Sequence, residues 1–232
     1  MMRLLRGFWS TDRSLSLLVL SLALVIFVVP PLQQLGLAGR LLVTLFFSFL
    51  LLSGVAAVAK TARTTVVVGG LVLATLVVRL VRLWLGGGSL VMSDALFSAL
   101  FCIIMAVVVL AQVLREGPIT VYRIEGAVAF YLLLGLAWAF AYELVELHWS
   151  NAFVLPSWAT TNPNDDPTGR FVYFSFVTLT TVGYGDITAV HPLARSLVTL
   201  EALVGQLFPA ILLARLVSME LYHRQAQDRE AR

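Results

Sequence analysis

Thr178-Leu179-Thr180-Thr181-Val182-Gly183-Tyr184-Gly185-Asp186 is the stretch that decides how this chain is read. It is a polar, glycine-bearing island between two long apolar segments, roughly 124–147 and 193–217, so it sits at membrane depth or at the membrane face. Backbone with two closely spaced glycines cannot face lipid, because its N–H and C=O groups would lack partners. At that depth it is tolerated only where protein buries it or where it lines a water-filled path. We read it as lining such a path, with its own carbonyl oxygens as the working groups.

Composition sets the frame. The chain has 232 residues, 59% hydrophobic and 12% charged, with a mean hydropathy of +0.92. Soluble domains carry about 25% charged residues, so this is the composition of an integral membrane protein. The length accommodates about six spans of about 20 residues each. A net charge of +3 argues for no nucleic-acid partner. Most of the positive charge lies in loops and ends, where topology puts it. The single cysteine, Cys102, falls in an apolar run and reads as a small buried hydrophobe. Neither an intrachain disulfide nor a cysteine-based metal site is open to it. Lys60 is the one lysine among sixteen Lys and Arg residues; with abundant Leu, Ala and Val, that bias suggests a GC-rich bacterial source.

A short basic start (Arg3, Arg6, Arg13) leads into an apolar run over roughly 14–32 that ends at Pro30-Pro31. It is long for a secretory signal and no A-x-A pattern follows, so it reads as a retained span. Further spans are expected at roughly 41–59, 64–85, 94–114, 124–147 and 193–217. The fifth carries Trp138, Tyr142 and Trp149 toward its end, as an interfacial aromatic belt would. A polar stretch over 148–169 precedes a half-length helix over 170–181, about 18 Å long and too short to span. The expected fold is therefore an all-α polytopic membrane protein with six transmembrane helices and a re-entrant helix and loop. Four N-terminal helices fill 1–115, a second module fills 116–218, and a short cytoplasmic tail fills 219–232. Lys60, Arg63, Arg115, Arg123, Arg224, Arg229 and Arg232 fall on the same face as the basic N-terminus. That face is cytoplasmic, which puts both termini inside a multi-pass protein of the cell (inner) membrane. Arg79 and Arg82 fall on the wrong side for this scheme.

Gly183 and Gly185 alternate with Val182 and Tyr184. Glycine reaches positive φ at no steric cost, so a strand alternating left- and right-handed residues aims successive carbonyls to one side. The carbonyls of Thr181, Val182, Gly183 and Tyr184 then stack along an axis, with the Thr181 hydroxyl adding an oxygen at the inner end. Val182 and Tyr184 point away into packing that holds the strand. Four copies give cages of about eight oxygens that replace the hydration shell of a large monovalent cation. One chain carries one copy, so closed symmetry implies a homotetramer. The negative end of the half-length helix, aimed at the centre, favours a dehydrating cation.

Thr180-Thr181-Val182-Gly183-Tyr184-Gly185-Asp186 resembles the signature of potassium channels, and the order helix, pore helix, filter, helix over roughly 124–217 resembles the pore module of that superfamily. The resemblance implies a K+-selective, homotetrameric channel that conducts passively, surrounded by membrane lipid, with K+ as the permeating ion and no cofactor. Thr181, Val182, Gly183 and Tyr184 match the ion-coordinating positions, with Thr180 and Gly185 as filter support. Asp186 matches the acidic residue at the outer mouth, and Tyr173 stands where an aromatic donor often holds it. Val177 stands where some bacterial members place a glutamate. Gly205 matches the hinge glycine of the inner helix, and Pro209 follows one turn later. Together they read as a bend, with close packing of Gly205 against the pore helix as the alternative.

Glu201 inside the last span must face protein or water. It reads as a satisfied group behind the filter, bonded to the pore helix. Glu143 and Glu146 are expected to pair with Arg170 or Arg195. Asp165 and Asp166 read as a solvated outer loop, and His148, His191 and His223 as isolated interfacial residues. Voltage sensing needs repeated charges, because each supplies only about 2.3 kcal/mol per 100 mV. The fourth span has no arginine between Asp94 and Arg115, and Arg79 and Arg82 lack acidic partners in the first two spans. The channel is thus expected not to be strongly voltage-gated. The alternatives are a voltage-dependent channel with a degenerate sensor, a channel-like subunit of a potassium uptake system, or a sensor that scarcely conducts. Gly183-Tyr184-Gly185-Asp186 also fits an intramembrane aspartyl protease pattern. That chemistry needs a second membrane carboxylate, and Asp12, Asp94, Asp165, Asp166 and Asp228 all read as lying at ends or in loops, so no enzyme is expected.

Overall fold

The computed structural model describes residues 11–28, 37–58, 62–85, 88–114, 121–159 and 168–230. Among these the chain forms seven α-helices: α1 (Thr11–Phe27), α2 (Leu37–Val58), α3 (Ala62–Leu85), α4 (Gly88–Val113), α5 (Val121–His148), α6 (Thr168–Leu179) and α7 (Pro192–Glu230). The described residues are otherwise mostly loop, with a ribbon of two two-residue strands, β1 (Phe153–Val154) and β2 (Thr188–Ala189), and one 3-10 turn over Ser157–Ala159. Among the described residues three stretches, Leu90–Val113, Arg123–His148 and Pro192–Arg215, are long and apolar enough to cross a membrane; Leu15–Phe27, Thr44–Val55 and Val66–Val81 are shorter apolar helical stretches.

Helix α5 is the pivot. One side packs along α4 and α1, and the other along α6 and α7. Helices α1 to α4 form a bundle through α1–α2, α2–α3 and α3–α4 contacts. Its core is built from Leu18, Leu22, Leu50, Phe47, Phe101, Cys102 and Met105. In α4, Ala95, Ala99, Cys102, Ala106, Val109 and Val113 are buried, a stripe of small and branched residues at helical spacing that lets α5 approach closely. The buried thiol of Cys102 agrees with its reading as a core residue.

The C-terminal end of α5 is stapled to the start of α7. Phe153 pairs with Ala189 and Val154 with Thr188 in antiparallel register, and the Ala152 carbonyl accepts from the amides of Val190 and His191. Glu146 fixes the turn after α5, its carboxylate accepting from the amides of Asn151 (3.2 Å) and Phe153 (3.1 Å). Asn151 takes positive φ (66°) there, as asparagine tolerates after a helix. Helix α7 starts at Pro192, whose missing N–H costs nothing at the first position. His191 caps it, its Nδ1 accepting from the Leu193 amide at 3.3 Å, with Trp149 stacked on its ring. This staple brackets α6 and the loop behind it, and so holds the insert between two fixed points.

Two expectations change here. Tyr142 is 0% exposed rather than interfacial, because its ring sits edge-on to Phe153 and Phe174 and its hydroxyl has a buried partner. Asp94 is not at a helix end: α4 begins at Gly88, and Asp94 lies inside it, 4% exposed. Helix α7 runs on to Glu230, through the segment expected as a tail. Asp165, Asp166 and the basic residues Arg3, Arg6, Lys60 and Arg115 fall outside the described residues.

Candidate functional site

Helix α6 ends at Leu179, and the backbone turns back on it. The Thr180 amide donates to the Phe176 carbonyl (3.1 Å), Thr181 to Thr178 (2.9 Å), Val182 to Val177 (2.9 Å) and Gly183 to Val177 (3.2 Å). Four consecutive N–H groups thereby satisfy carbonyls that the helix end would leave open. After that, φ is positive at every second residue: Thr181 (60°), Gly183 (58°) and Gly185 (77°). The glycines take this conformation freely. Thr181 does not; a β-branched residue there is an outlier that costs about 1–3 kcal/mol and persists only where its surroundings dictate it. The alternation foreseen at the two glycines thus extends two residues back, to Thr181. Among the described residues, no hydrogen bond ends on the carbonyls of Thr181 to Tyr184. Val182 and Tyr184 do not pack within the chain: they stand 52% and 71% exposed, on its edge.

The C-terminal end of the stretch is held by Asp186. The Tyr173 hydroxyl donates to its Oδ2 at 2.9 Å and the Ile187 amide to its Oδ1 at 3.0 Å. Desolvation, with the hydrogen bond and charge of Asp186 behind it, pushes the Tyr173 phenol up to about 12, so it keeps its proton at neutral pH. Behind α6, three positions on one face of α5 reach over. The Tyr131 hydroxyl donates to the Leu179 carbonyl at 3.1 Å. The Gly135 carbonyl accepts from the Ser175 hydroxyl at 2.7 Å. The Tyr142 hydroxyl meets Glu201 Oε2. Glu201 itself is 0% exposed and meets the Ser175 hydroxyl at 2.6 Å, so it is a satisfied group bonded to α6. The helical spacing of Tyr131, Gly135 and Tyr142 was the signal in the sequence that these polar tips share a face.

Gly205 has a packing reason to be glycine. A Cβ there would lie 2.0 Å from the Leu179 carbonyl oxygen. Helix α7 runs unbroken through Gly205 and Pro209. Pro209 has no N–H to give the carbonyl four residues back, which is that of Gly205. Both features act on one turn.

Other polar groups pair differently from expectation. Glu143 accepts from the Thr168 hydroxyl at 2.9 Å, and Glu146 is taken up by the turn after α5. Arg170 donates to the Ala159 carbonyl and Arg195 to that of Ala189. Arg79 does have an acidic partner, in α4 rather than the first two spans. Its Nε and Nη2 reach the two carboxylate oxygens of Asp94 at 3.2 and 3.3 Å, Nη2 also reaches Ser98 at 3.4 Å, and its guanidinium lies 4.4 Å from the Phe47 ring centre. Asp94 thus serves an ion pair, not a pair of carboxylates.

Residues 127–221 match the family model described as an ion channel. Protein LctB of Bacillus caldotenax is 32% identical over 96 residues, which are 39% of this chain and 66% of that protein. The chain therefore spans just under two thirds of that curated relative's length. No solved structure matches it significantly. With its half-length helix, alternating backbone and bracketing apolar helices, the segment 127–221 of this chain is similar to an ion-channel domain.

Proposed function

We propose that the protein is a K+-selective channel of the cell membrane, in which four copies surround one pore and K+ crosses passively. The observation that carries this reading is the positive φ at Thr181, Gly183 and Gly185. With the amides of 180–183 turned onto α6, that alternation leaves the carbonyls of Thr181, Val182, Gly183 and Tyr184 to face the other way, as one quarter of a set of eight-oxygen cages. The negative end of the α6 dipole precedes this stretch and favours a cation. Val182 and Tyr184, together with Leu200, Leu203, Leu207 and Ile211 of α7, are exposed in the single chain. Neighbouring copies cover them in the assembly. On this reading α1 to α5 and α7 are the membrane helices, the shorter apolar stretches of α1, α2 and α3 included, with both termini cytoplasmic.

The bundle α1–α4 does not carry a strong voltage sensor. Arg79 is 8% exposed and held by Asp94, Ser98 and Phe47, so moving it requires separating a buried pair. Purified protein in liposomes tests the function. Flux of K+ well above Na+ is expected, and Gly183→Asp abolishes it. Flux of unchanged selectivity in that variant defeats the filter assignment. Steep voltage dependence in a planar bilayer would favour the sensor-bearing alternative, and flux that requires a second protein the uptake-subunit alternative.

A further inference from the structure

Glu201 sits where three oxygen–oxygen contacts have to share the available protons. Three close oxygen–oxygen contacts run in a chain from α5 through α7 and α6 back to α5: Tyr142 hydroxyl to Glu201 Oε2, Glu201 Oε1 to Ser175 hydroxyl (2.6 Å), and Ser175 hydroxyl to the Gly135 carbonyl (2.7 Å). A carbonyl and an ionised carboxylate only accept, and each hydroxyl brings one proton. With Glu201 ionised, two protons must serve three contacts. Ser175 then donates either to Gly135 or to Glu201, and the other contact sets two lone-pair oxygens face to face. With Glu201 neutral, its own proton goes to Ser175, that of Ser175 goes to Gly135, and that of Tyr142 goes to the second carboxyl oxygen. Every contact is then filled once. The titratable groups facing Glu201 from α5 are the phenols of Tyr142 and Tyr131, and α6 presents Ser175. Among the described residues no Lys, Arg or His pairs with it, and a buried carboxylate without a cationic partner is costly.

We propose that Glu201 is held as the neutral acid and is a positioning residue, its proton tying α7 to α6 beneath the ion-coordinating stretch. Glu201 and Gly205 lie one turn apart on α7, against Ser175 and Leu179 one turn apart on α6. Loss of the proton therefore loosens the face that carries Leu179, Thr180 and Thr181. The positioning role rests on the reading of that stretch as a K+ filter; the protonation state does not.

Infrared spectroscopy of the purified protein and of Glu201→Gln tests the first half. The native protein should show a protonated-carboxyl C=O band at neutral pH that the variant lacks; absence of that band overturns the proposal. The glutamine amide accepts from Tyr142 and donates to Ser175, so the variant should fold. Liposome flux tests the second half. As pH rises into the alkaline range, the native K+-over-Na+ flux ratio should fall severalfold, while that of Glu201→Gln stays flat. Identical pH profiles overturn the positioning role. If the band is present but neither protein is K+-selective at any pH, the filter reading fails and the positioning role with it, while the protonation stands.

Discussion

Gly205→Ala separates two readings of the inner helix by the sign of one number. The added Cβ would sit 2.0 Å from the Leu179 carbonyl oxygen, 2.8 Å from its carbonyl carbon and 3.0 Å from its Cα. An ordinary contact begins at 3.4 Å, so α7 and α6 must separate by about 1.4 Å, and the atoms in the way are backbone that cannot swing aside. Overpacking of this kind costs about 1–3 kcal/mol. The Tyr131 bond to the same carbonyl is disturbed too, at about 1 kcal/mol. Alanine returns about 1 kcal/mol in helix propensity. The expected net loss is about 2 kcal/mol per chain, accompanied by reduced flux, because Leu179 lies two residues before Thr181. Two controls calibrate it. At Gly135 the obstacle is the Phe176 ring, 2.6 Å away but able to rotate, so alanine there should cost less. At Gly70 nothing lies within 4 Å, and alanine should be neutral or slightly stabilising. Thermal unfolding of the four proteins in detergent, with liposome flux, is the assay. If glycine is there only to let the helix bend, alanine stiffens it and raises stability. A Gly205→Ala protein as stable as Gly70→Ala would refute the packing account.

Tyr173→Phe removes the 2.9 Å bond to Asp186 and should cost about 1 kcal/mol at this partly exposed site, seen as a lower unfolding temperature. Its raised phenol pKa, about 12, fixes the pH window: the contribution is complete below the unfolded value of 10 and is lost as pH rises through 12, so the effect of the variant should be equal at neutral and mildly alkaline pH. Arg79→Leu leaves the buried Asp94 without its cationic neighbour and should cost about 3–5 kcal/mol, whereas Arg79→Leu with Asp94→Leu should recover most of it; a double-mutant cycle of unfolding free energies checks this. Gly183→Ala meets nothing within 4 Å in the chain but must hold φ at 58°, a penalty of about 1–2 kcal/mol, and should weaken K+ selectivity in liposome flux without preventing folding.

What the sequence made legible follows the strength of local rules. The re-entrant stretch was readable because two glycines at spacing two leave little else for the backbone to do. The half-length of α6 and the burial of Cys102 followed from apolar pattern. The left-handed Thr181 was not readable, since no local preference places a β-branched residue there; the amides tied to Val177 and Thr178 impose it. Tyr142 was read as interfacial because its distance along α5 is visible in sequence and its rotation toward Glu201 is not. The Arg79 partner was missed because the apolar run of α4 begins near Asp94, which hides that the helix starts at Gly88. Glu201 was the opposite case: a lone carboxylate in an apolar span has to find partners, and only their identities, Ser175 and Tyr142, needed the fold.

The proposed coordination of K+ by the carbonyls of Thr181 to Tyr184 predicts a binding preference. Its most direct test is isothermal titration of the purified protein with K+ and with Na+, for the native chain and Gly183→Ala. Saturable binding that strongly prefers K+ in the native protein, and loss of that preference in the variant, is the predicted result. Equal affinity for both ions in the native protein, or a K+ preference that the variant keeps, would contradict it.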